Sequence, residues 1–359
     1  MPPFNPNMPL LDLSTWSPFR IDALGLVTLI GAEEVSKSIG RLVTSRYTKF
    51  LPVLGAYLIA GNQFTSMSSG YTIYNVSDSI TTTCVGGWLT RWLNAQDLNS
   101  MSLSVFEWTC FQKRRNRPWR NVLAGIVGLI SIGGLLIIAI LSSDGFGIAN
   151  ATAMAVSVLV RWYLVRENME GLDQAVLKAC TGPSSGYFDE RVKLLITLAN
   201  GKLVTFYAPR GLVVAGFTKG PIPPHNKLYK VMRGIGWLTF GIHIIALGQS
   251  YLICQIHTVV LLVLSTWAII QGFGCDEEEV ANHLTATATK MNTSQPLPDR
   301  RLCAYVALEP TDTEEESLAE WGLLPRKANT KWWSEYSEAK AKWSEERKKI
   351  YAISCQSQD

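Results

Sequence analysis

The sequence predicts a mainly α-helical protein: a polytopic transmembrane helix bundle with four strong spans and a fifth near the N-terminus. It also predicts a small cytoplasmic β-hairpin segment and an amphipathic C-terminal helix. The first observation behind this is that residues 122–143 and 234–275 contain no Asp, Glu, Lys or Arg. A helix needs about 20 apolar residues to cross a bilayer, and a soluble fold has little use for an uncharged tract of 42 residues. The composition therefore excludes a wholly soluble, fibrous or disordered protein.

The two uncharged tracts and their flanks define the spans. The strongest span is 122–141, and a second, from about 146 to 165, contains Asn150, Ser157 and Arg161. Residues 234–274 are too long for one crossing and predict a hairpin that turns between 248 and 255. A fifth span is predicted at 50–64, in preference to the shorter apolar run at 21–32.

Charge is the second observation, because it is unevenly distributed. The region from Asp276 to the end has 11 Lys and Arg against 16 Asp and Glu, a net charge of −5, which leaves +9 for residues 1–275. By the positive-inside rule, the basic residues at 113–120 and 161–233 are cytoplasmic, and so is the tail. Five spans place the N-terminus in the lumen and the sequon at Asn75 on the cytoplasmic side, where it is not used. Asn75 is glycosylated only if it is lumenal, and the count of five spans is then wrong.

These observations divide the chain into five segments. They are an N-terminal region, 1–112, with one span at 50–64; a basic flank and helical hairpin, 113–165; a cytoplasmic β segment, 166–233; a second helical hairpin, 234–275; and an acidic cytoplasmic tail, 276–359.

Local patterns complete the fold prediction. Residues 193–199 and 202–208 flank Asn200-Gly201, which indicates a hairpin with a type I′ turn, and 212–218 is a candidate third strand. In the tail, 329–350 predicts a helix, the third observation, because its apolar residues recur on one face of a 3.6-residue period. That face consists of Trp332, Tyr336, Ala339, Trp343 and Ile350. It can pack on the protein itself, on the bilayer or on a partner.

Polar residues inside the spans are the first candidates for function. Asn150, Ser157 and Arg161 form one stripe on the second span, which either binds a polar group of an apolar substrate or packs helices together. His243 and His257 fall at similar depth if the hairpin turns near Ser250, and then could share a proton. The simpler alternative is a pair of neutral histidines, each bonded to its own neighbours.

Carboxylates near the membrane are the second group. Glu33 and Glu34 either mark the end of an apolar segment or act as a desolvated acid in a cyclisation. Asp276, Glu279 and His283 are candidates for a metal site, with acids in a first helical turn as the alternative. Common nucleotide-binding, zinc and hydrolase motifs are missing from the sequence. We therefore expect no cofactor and no nucleic-acid partner.

Three stretches carry a family resemblance: 117–120 (RPWR), 144–151 (DGFGIANA) with 157–161 (SVLVR), and 202–211 (KLVTFYAPRG). In these the chain resembles a group of fungal multi-spanning membrane proteins of the paxilline synthesis protein A type, some of which accompany secondary-metabolite genes. The resemblance covers residues 110–275 and brings no catalytic motif. It implies an endoplasmic-reticulum protein that works with prenylated indole intermediates of indole-diterpene synthesis, as accessory or cyclase.

Two function classes follow. The first is a membrane component of secondary-metabolite biosynthesis that cyclises, holds or passes on an apolar terpenoid and meets soluble biosynthetic enzymes at its cytoplasmic loops. The second is a non-enzymatic membrane scaffold or sensor that recruits partners through its β segment and tail. A pump or channel ranks lower, because the strong spans carry almost no ionisable residues.

Overall fold

The computed structural model describes residues 32–54, 66–98, 104–110, 118–181, 185–289 and 300–356. Helices predominate in these ranges, and the described strands form one eight-stranded sheet. The helices are α1 Ala32–Gly40, α2 Gly87–Ala95, α3 Pro118–Leu141, α4 Gly145–Cys180, α5 Ser185–Asp189, α6 Arg210–Leu212, α7 Asn226–Gln249, α8 Leu252–Ile270, α9 Arg301–Ala307, α10 Asp312–Glu320 and α11 Thr330–Gln356. The strands are β1 Val43–Ser45, β2 Thr72–Asn75, β3 Ile80–Thr82, β4 Val105–Thr109, β5 Arg191–Thr197, β6 Leu203–Pro209, β7 Cys275–Val280 and β8 Leu284–Thr289.

Four of the described helices, α3, α4, α7 and α8, are long and apolar enough to cross a membrane. Their outward faces are strongly apolar: Leu129 is 73% exposed and Ile245 is 67% exposed. Faces of this kind are stable against lipid and unfavourable against water. The structure thus supports the four strong spans and an integral membrane protein.

The four helices form two tight hairpins. Helix α3 turns into α4 at residues 142–144, and α7 turns into α8 at residues 250–251, inside the predicted window. The two turns meet, because Asp144 Oδ2 accepts a hydrogen bond from the Tyr251 N–H at 2.7 Å. We call this end of the bundle the closed end. The opposite ends of all four helices lead to the sheet.

The strands of the sheet come from distant parts of the chain. Its order is β1-β7-β8-β4-β6-β5-β2-β3, with β4 and β6 parallel and the other pairs antiparallel. The residues predicted as a small hairpin supply only the two strands β5 and β6. The predicted N-terminal region and acidic tail contribute the remaining six, so three of the predicted segments share one folded unit.

Both faces of the sheet are covered. Alternate residues of β6, such as Val204 and Phe206, face a core formed with α2, the second half of α4 and Phe217. Leu203 and its neighbours face α9, α10 and α11 on the other side. This is the alternation that a pleated strand imposes. The first core is built around aromatic rings, with the Trp92 and Trp108 centroids 4.9 Å apart.

Helix α4 joins the bundle to the sheet. It is 36 residues long, whereas the sequence predicted a span of about 20, and at about 1.5 Å per residue it reaches about 54 Å. Met154 in its first half belongs to the bundle core, and Leu172 and Val176 in its second half belong to the sheet core. One continuous helix therefore fixes the sheet unit relative to the membrane.

Several local predictions were wrong. Residues 210–217 are helical, with a π-helical turn at Val213–Phe217, and do not form a third strand. The acidic run Asp276–Glu279 is not a helical turn but lies in β7. In the β5–β6 turn only Gly201 has a positive φ, +79°, and Leu198 N–H donates to the Lys202 carbonyl. The connection is therefore a three-residue loop with glycine in the left-handed position, and not a type I′ turn.

The predicted fifth span stays a prediction. Thr48–Phe50 form a 3-10 turn and residues 51–54 are non-helical, while residues 55–65 lie outside the described residues, as do 1–31. The strands on either side, β1 and β2, belong to the same sheet.

A buried ion pair ties β2, β3 and α6 together. Arg210, 6% exposed, donates to Asp78 Oδ1 at 2.6 Å and Oδ2 at 2.9 Å, and to the more exposed Glu190 at 2.6 Å. The Arg210 guanidinium holds the pKa of Asp78 below its usual range. Asn75 Nδ2 also donates to Asp78, at 2.7 Å. Folding therefore depends on an ionised Asp78.

We expect Asp78→Asn to lower the free energy of unfolding by about 3 kcal/mol or more, because it leaves a buried guanidinium without its main partner. The depressed pKa means that the wild-type stabilisation is complete above about pH 4 and is lost as the pH falls through the folded-state pKa. The free energy of unfolding of the variant should therefore decrease less steeply than that of the wild type as the pH is lowered. Thermal unfolding followed by tryptophan fluorescence measures both effects. Glu190→Gln, at a side chain 63% exposed, is the matched control and should cost about 1 kcal/mol or less; an equal loss there would contradict the assignment.

Candidate functional site

A charged side chain is buried inside the membrane bundle. Arg161, on α4, is only 4% exposed. It lies 16 residues along α4, about 24 Å from the closed end, so it sits just inside the sheet-side surface of a hydrocarbon core about 30 Å thick. A simple interfacial arginine would extend into water. Arg161 instead turns into the protein, which makes it the main candidate for function in the bundle.

The partner of Arg161 is backbone. Its Nη2 donates to the carbonyl oxygens of Lys49 at 3.0 Å and Leu51 at 2.6 Å. Residues 51–54 are non-helical and enter the bundle, where Leu54 packs in the bundle core. Non-helical backbone at membrane depth needs hydrogen-bond partners from the protein, because lipid offers none. Arg161 supplies them and so holds this segment in place.

Glycine makes room for the same segment. A Cβ on Gly128 of α3 would lie 2.7 Å from the Phe50 Cβ and 2.8 Å from its carbonyl oxygen. On the other side, the rings of Phe50 and Trp162 are 6.3 Å apart. The segment is therefore wedged between α3 and α4 by close contact as well as by Arg161.

A second polar group lies near the closed end. Asn150 Nδ2 on α4 donates to Thr258 Oγ1 on α8 at 2.9 Å, and Gln255 Nε2 donates to the Ser250 carbonyl at 2.9 Å. Three buried polar atoms at this depth lack a partner in the described structure: Asn150 Oδ1, Gln255 Oε1 and His243 Nδ1. The layer can therefore take additional hydrogen bonds from a donor.

The predicted polar stripe faces the interior, but its members do different things. Asn150 links α4 to α8, Ser157 is half-buried, and Arg161 binds the 48–54 segment. The two histidines do not form a pair, since no hydrogen bond joins them in the described part of the chain. His257 faces α3, where its Nε2 lies 3.8 Å from the place of a Cβ on Gly134.

The predicted carboxylate sites are not assembled. Glu33 and Glu34 lie in the exposed first turn of α1, and both pair with Lys37. Asp276 pairs with Arg46 at 3.7 Å, whereas Glu279 accepts a hydrogen bond from Thr44. The His283 side chain is exposed. The described residues contain no group of three or more side chains suited to a metal ion.

Asn75 lies in the sheet and not in an open loop. Its side chain is 7% exposed, donates to Asp78 and accepts from the Asp78 N–H at 3.2 Å. Ser77 of the same sequon accepts a hydrogen bond from the Lys193 N–H at 3.0 Å. An oligosaccharide at Asn75 would have to break these bonds.

Sequence reasoning missed the residues that join elements across the fold. Asp144 caps α4 through the Gly147 N–H and also binds Tyr251, and Thr258 meets Asn150. The aspartate directly before an apolar helix was a usable capping signal. Nothing in the local sequence could reveal that Lys49 and Leu51 provide the acceptors for Arg161.

No family model matches the chain, and neither a curated protein nor a solved structure is detectably similar to it. The functional interpretation therefore depends on the geometry described above.

We expect Ser142→Cys to form a disulfide with Cys254 under mild oxidation, because Ser142 Oγ and Cys254 Sγ are 3.8 Å apart where the two hairpins meet. Proteolysis at an introduced site in the 220–224 linker, followed by non-reducing electrophoresis, detects the bridge as two fragments that stay together. Ser143→Cys, at the neighbouring exposed position, is the control and should not cross-link. Equal cross-linking of both variants would show that the closed end is not packed as described.

Proposed function

We propose that this protein is an integral membrane protein of the endoplasmic reticulum and a component of fungal secondary-metabolite biosynthesis. It holds a folded α/β unit, formed by the sheet and the helices packed on its two faces, at the cytoplasmic surface. In this proposal it is an accessory protein for a prenylated apolar intermediate, as in indole-diterpene pathways, and meets soluble enzymes through the α/β unit. The observation that carries the accessory role is the continuity of α4, which belongs to both cores. The pathway and the organelle are supported by the family resemblance alone.

The orientation is supported by charge. The sheet-side ends of the membrane helices carry exposed basic residues such as Arg166, Lys227 and Lys230. The closed end has Asp144 as the charged residue of its two short turns. The positive-inside rule assigns the basic side to the cytoplasm, and the sheet and α9–α11 lie on that side.

Helices α9, α10 and α11 form an outer layer on one face of the sheet, and this layer offers the surface for partners. Helix α10 begins with a capping box at Thr311 and Glu314, and exposes Asp312, Glu316 and Glu320. Helix α11 lies beside it, with Tyr336 and Trp343 buried and Lys340 paired to Glu315 at 2.5 Å. This layer is held by aromatic packing and presents an acidic face on the side away from α11. A basic partner surface would suit it.

A cyclase is the second candidate. The three unpartnered atoms near Asn150 favour it, because they can bind a hydroxyl group of a mostly apolar substrate held in the bundle. Glu33 and Glu34, the carboxylates predicted as the acid of a cyclisation, do not support the cyclase, because both are exposed and both pair with Lys37. A non-enzymatic scaffold or sensor remains the alternative outside biosynthesis.

The orientation predicts which cysteines react from the cytosol. A chain that keeps only the exposed Cys84 should be labelled by a membrane-impermeant maleimide in sealed microsomes. A chain with a single cysteine from Tyr251→Cys, 36% exposed at the closed end, should react only after permeabilisation. The reverse pattern would place the sheet in the lumen.

Gene deletion in the fungal host, followed by metabolite profiling, separates the candidate functions. Loss of the final product with accumulation of a linear prenylated precursor supports the cyclase. Reduced product with normal intermediates, restored by the full chain but not by a chain with Asp312, Glu316 and Glu320 changed to Gln or Asn, supports the accessory role. An unchanged profile with loss of a co-purified partner supports the scaffold or sensor.

A further inference from the structure

The sheet has an open edge at β3. The strand order ends there, and β3 pairs with β2 alone among the described strands. A strand with one partner leaves the N–H and C=O groups of alternate residues on its other side without a strand to bind. The strand at the opposite end of the sheet, β1, is half-buried and leads into the 48–54 segment of the bundle. The edge at β3 is therefore the one that a partner can reach.

The composition of this edge favours pairing with another strand. Residues 79–84 (SITTTC) contain no charged residue and no proline, which are the residues that commonly prevent pairing at a sheet edge. Ile80 is 58% exposed, and Thr81 and Thr83 are exposed as well. Their β-branched side chains favour extended backbone. An added strand therefore meets neither a charge nor a missing N–H group at this edge.

An acidic face of α10 adjoins the same edge. Ser79, the residue directly before β3, has its Oγ 2.9 Å from the Oγ of Ser317 on α10. Glu316 and Glu320 are exposed on α10, and they lie about 100° and 60° from Ser317 around the helix axis. The start of β3 is therefore next to a surface with two carboxylates.

The charge of these two carboxylates is not neutralised within the described part of the chain. The neighbouring acid Glu314 pairs with Lys193 at 3.0 Å, but no described cation forms an ion pair with Glu316 or Glu320. The surface beside the open edge therefore keeps two negative charges for a partner.

The open edge and the acidic face together identify the kind of partner. We propose that β3 is the docking site for an extended segment of a partner protein, which adds a ninth strand to the sheet and places Lys or Arg side chains beside Glu316 and Glu320. Backbone hydrogen bonds to the edge hold the segment, and the opposite charges select it. The site rests on the proposed function, in which the α/β unit recruits soluble enzymes, and it states which segment those enzymes carry.

The geometry sets two properties of the segment. Because the acidic face lies before the first residue of β3, an antiparallel segment has its basic residues after the paired stretch, and a parallel segment has them before it. Since β3 has only three residues, backbone bonds alone give little affinity. Binding should therefore depend on both the backbone N–H groups and the basic side chains, and it should weaken as the salt concentration rises.

The test uses the purified full-length chain in detergent and the fluorescent synthetic peptide TVTVTKK, whose binding is measured by fluorescence anisotropy. We expect saturable binding. Two further peptides carry N-methyl groups on either the odd or the even residues, and one of them should bind about tenfold more weakly or worse, because only one set of N–H groups faces β3. The peptide TVTVTEE should also bind about tenfold more weakly or worse, since its charges are repelled by the acidic face.

Variants of the chain separate this site from general attraction. Glu316→Gln with Glu320→Gln should weaken binding of TVTVTKK about fivefold, because two exposed ion pairs are lost. Glu338→Gln with Glu345→Gln makes the same change on the exposed face of α11 and should leave binding unchanged. At the exposed edge, Thr81→Lys should weaken binding, whereas Thr81→Val keeps a β-branched side chain and should not.

Four results would overturn the proposal. They are the absence of saturable binding, equal binding of the unmodified peptide and both N-methylated peptides, an equal loss in the α11 control, and self-association of the wild type that Thr81→Lys abolishes. The last result would show that a second copy of this chain occupies the edge. These measurements use purified components, so their outcome is independent of the metabolite profile that tests the role in biosynthesis.

Discussion

The fold depends on one helix that belongs to two environments. The first half of α4 packs against apolar neighbours in the bundle, and its second half lies under the aromatic core of the sheet. A flexible linker at this point would let the two parts move independently. Because the helix is continuous, its orientation about its own axis fixes three sets of contacts at once. These are the residues that face α7, those that face the 48–54 segment and those that face the sheet. The position of each site described here follows from that single rigid element.

Polar residues inside the bundle have distinct structural tasks. Asp144 links the two hairpin turns, Asn150 links α4 to α8, and Arg161 provides donors for the backbone of the 48–54 segment. All three have the same energetic basis, since a polar group without a partner inside the bilayer has no water to bind. Arg161 differs from Asn150 by carrying a full charge, and it is 4% exposed at the sheet side of the bundle.

The sequence was sufficient for some parts of the fold and insufficient for others, for physical reasons. The four membrane helices were predictable because lipid imposes a length and a composition on each helix. The paired strands β5 and β6 had strong local signals, as did the helix that contains Trp332 and Trp343. The wider sheet was not found, because strands such as β1 and β3 have three residues and β7 contains four acids. Such strands are specified by their partners and not by their own composition.

The same distinction applies to the candidate site. The stripe of Asn150, Ser157 and Arg161 was visible as a helical period, but its meaning depended on Lys49 and Leu51, which lie 112 and 110 residues away. Alternation in Val105–Thr109, with Phe106 and Trp108 inward, was a usable signal for β4 that the initial interpretation did not use. Long-range pairs of polar side chain and backbone carbonyl leave no such local pattern.

The strand order also determines when the protein can be completed during synthesis. Among the described strands β1 pairs with β7 alone, and β4 pairs with β6 and β8, so neither β1 nor β4 can complete its pairing until both membrane hairpins have been synthesised. Until then Trp88, Trp92 and Trp108 have no finished core to occupy. The nascent chain therefore passes through a stage in which a large aromatic surface is exposed to water, and its yield should depend on chaperones. A polypeptide that stops before residue 275 would be inserted in the membrane and yet remain unable to close its sheet.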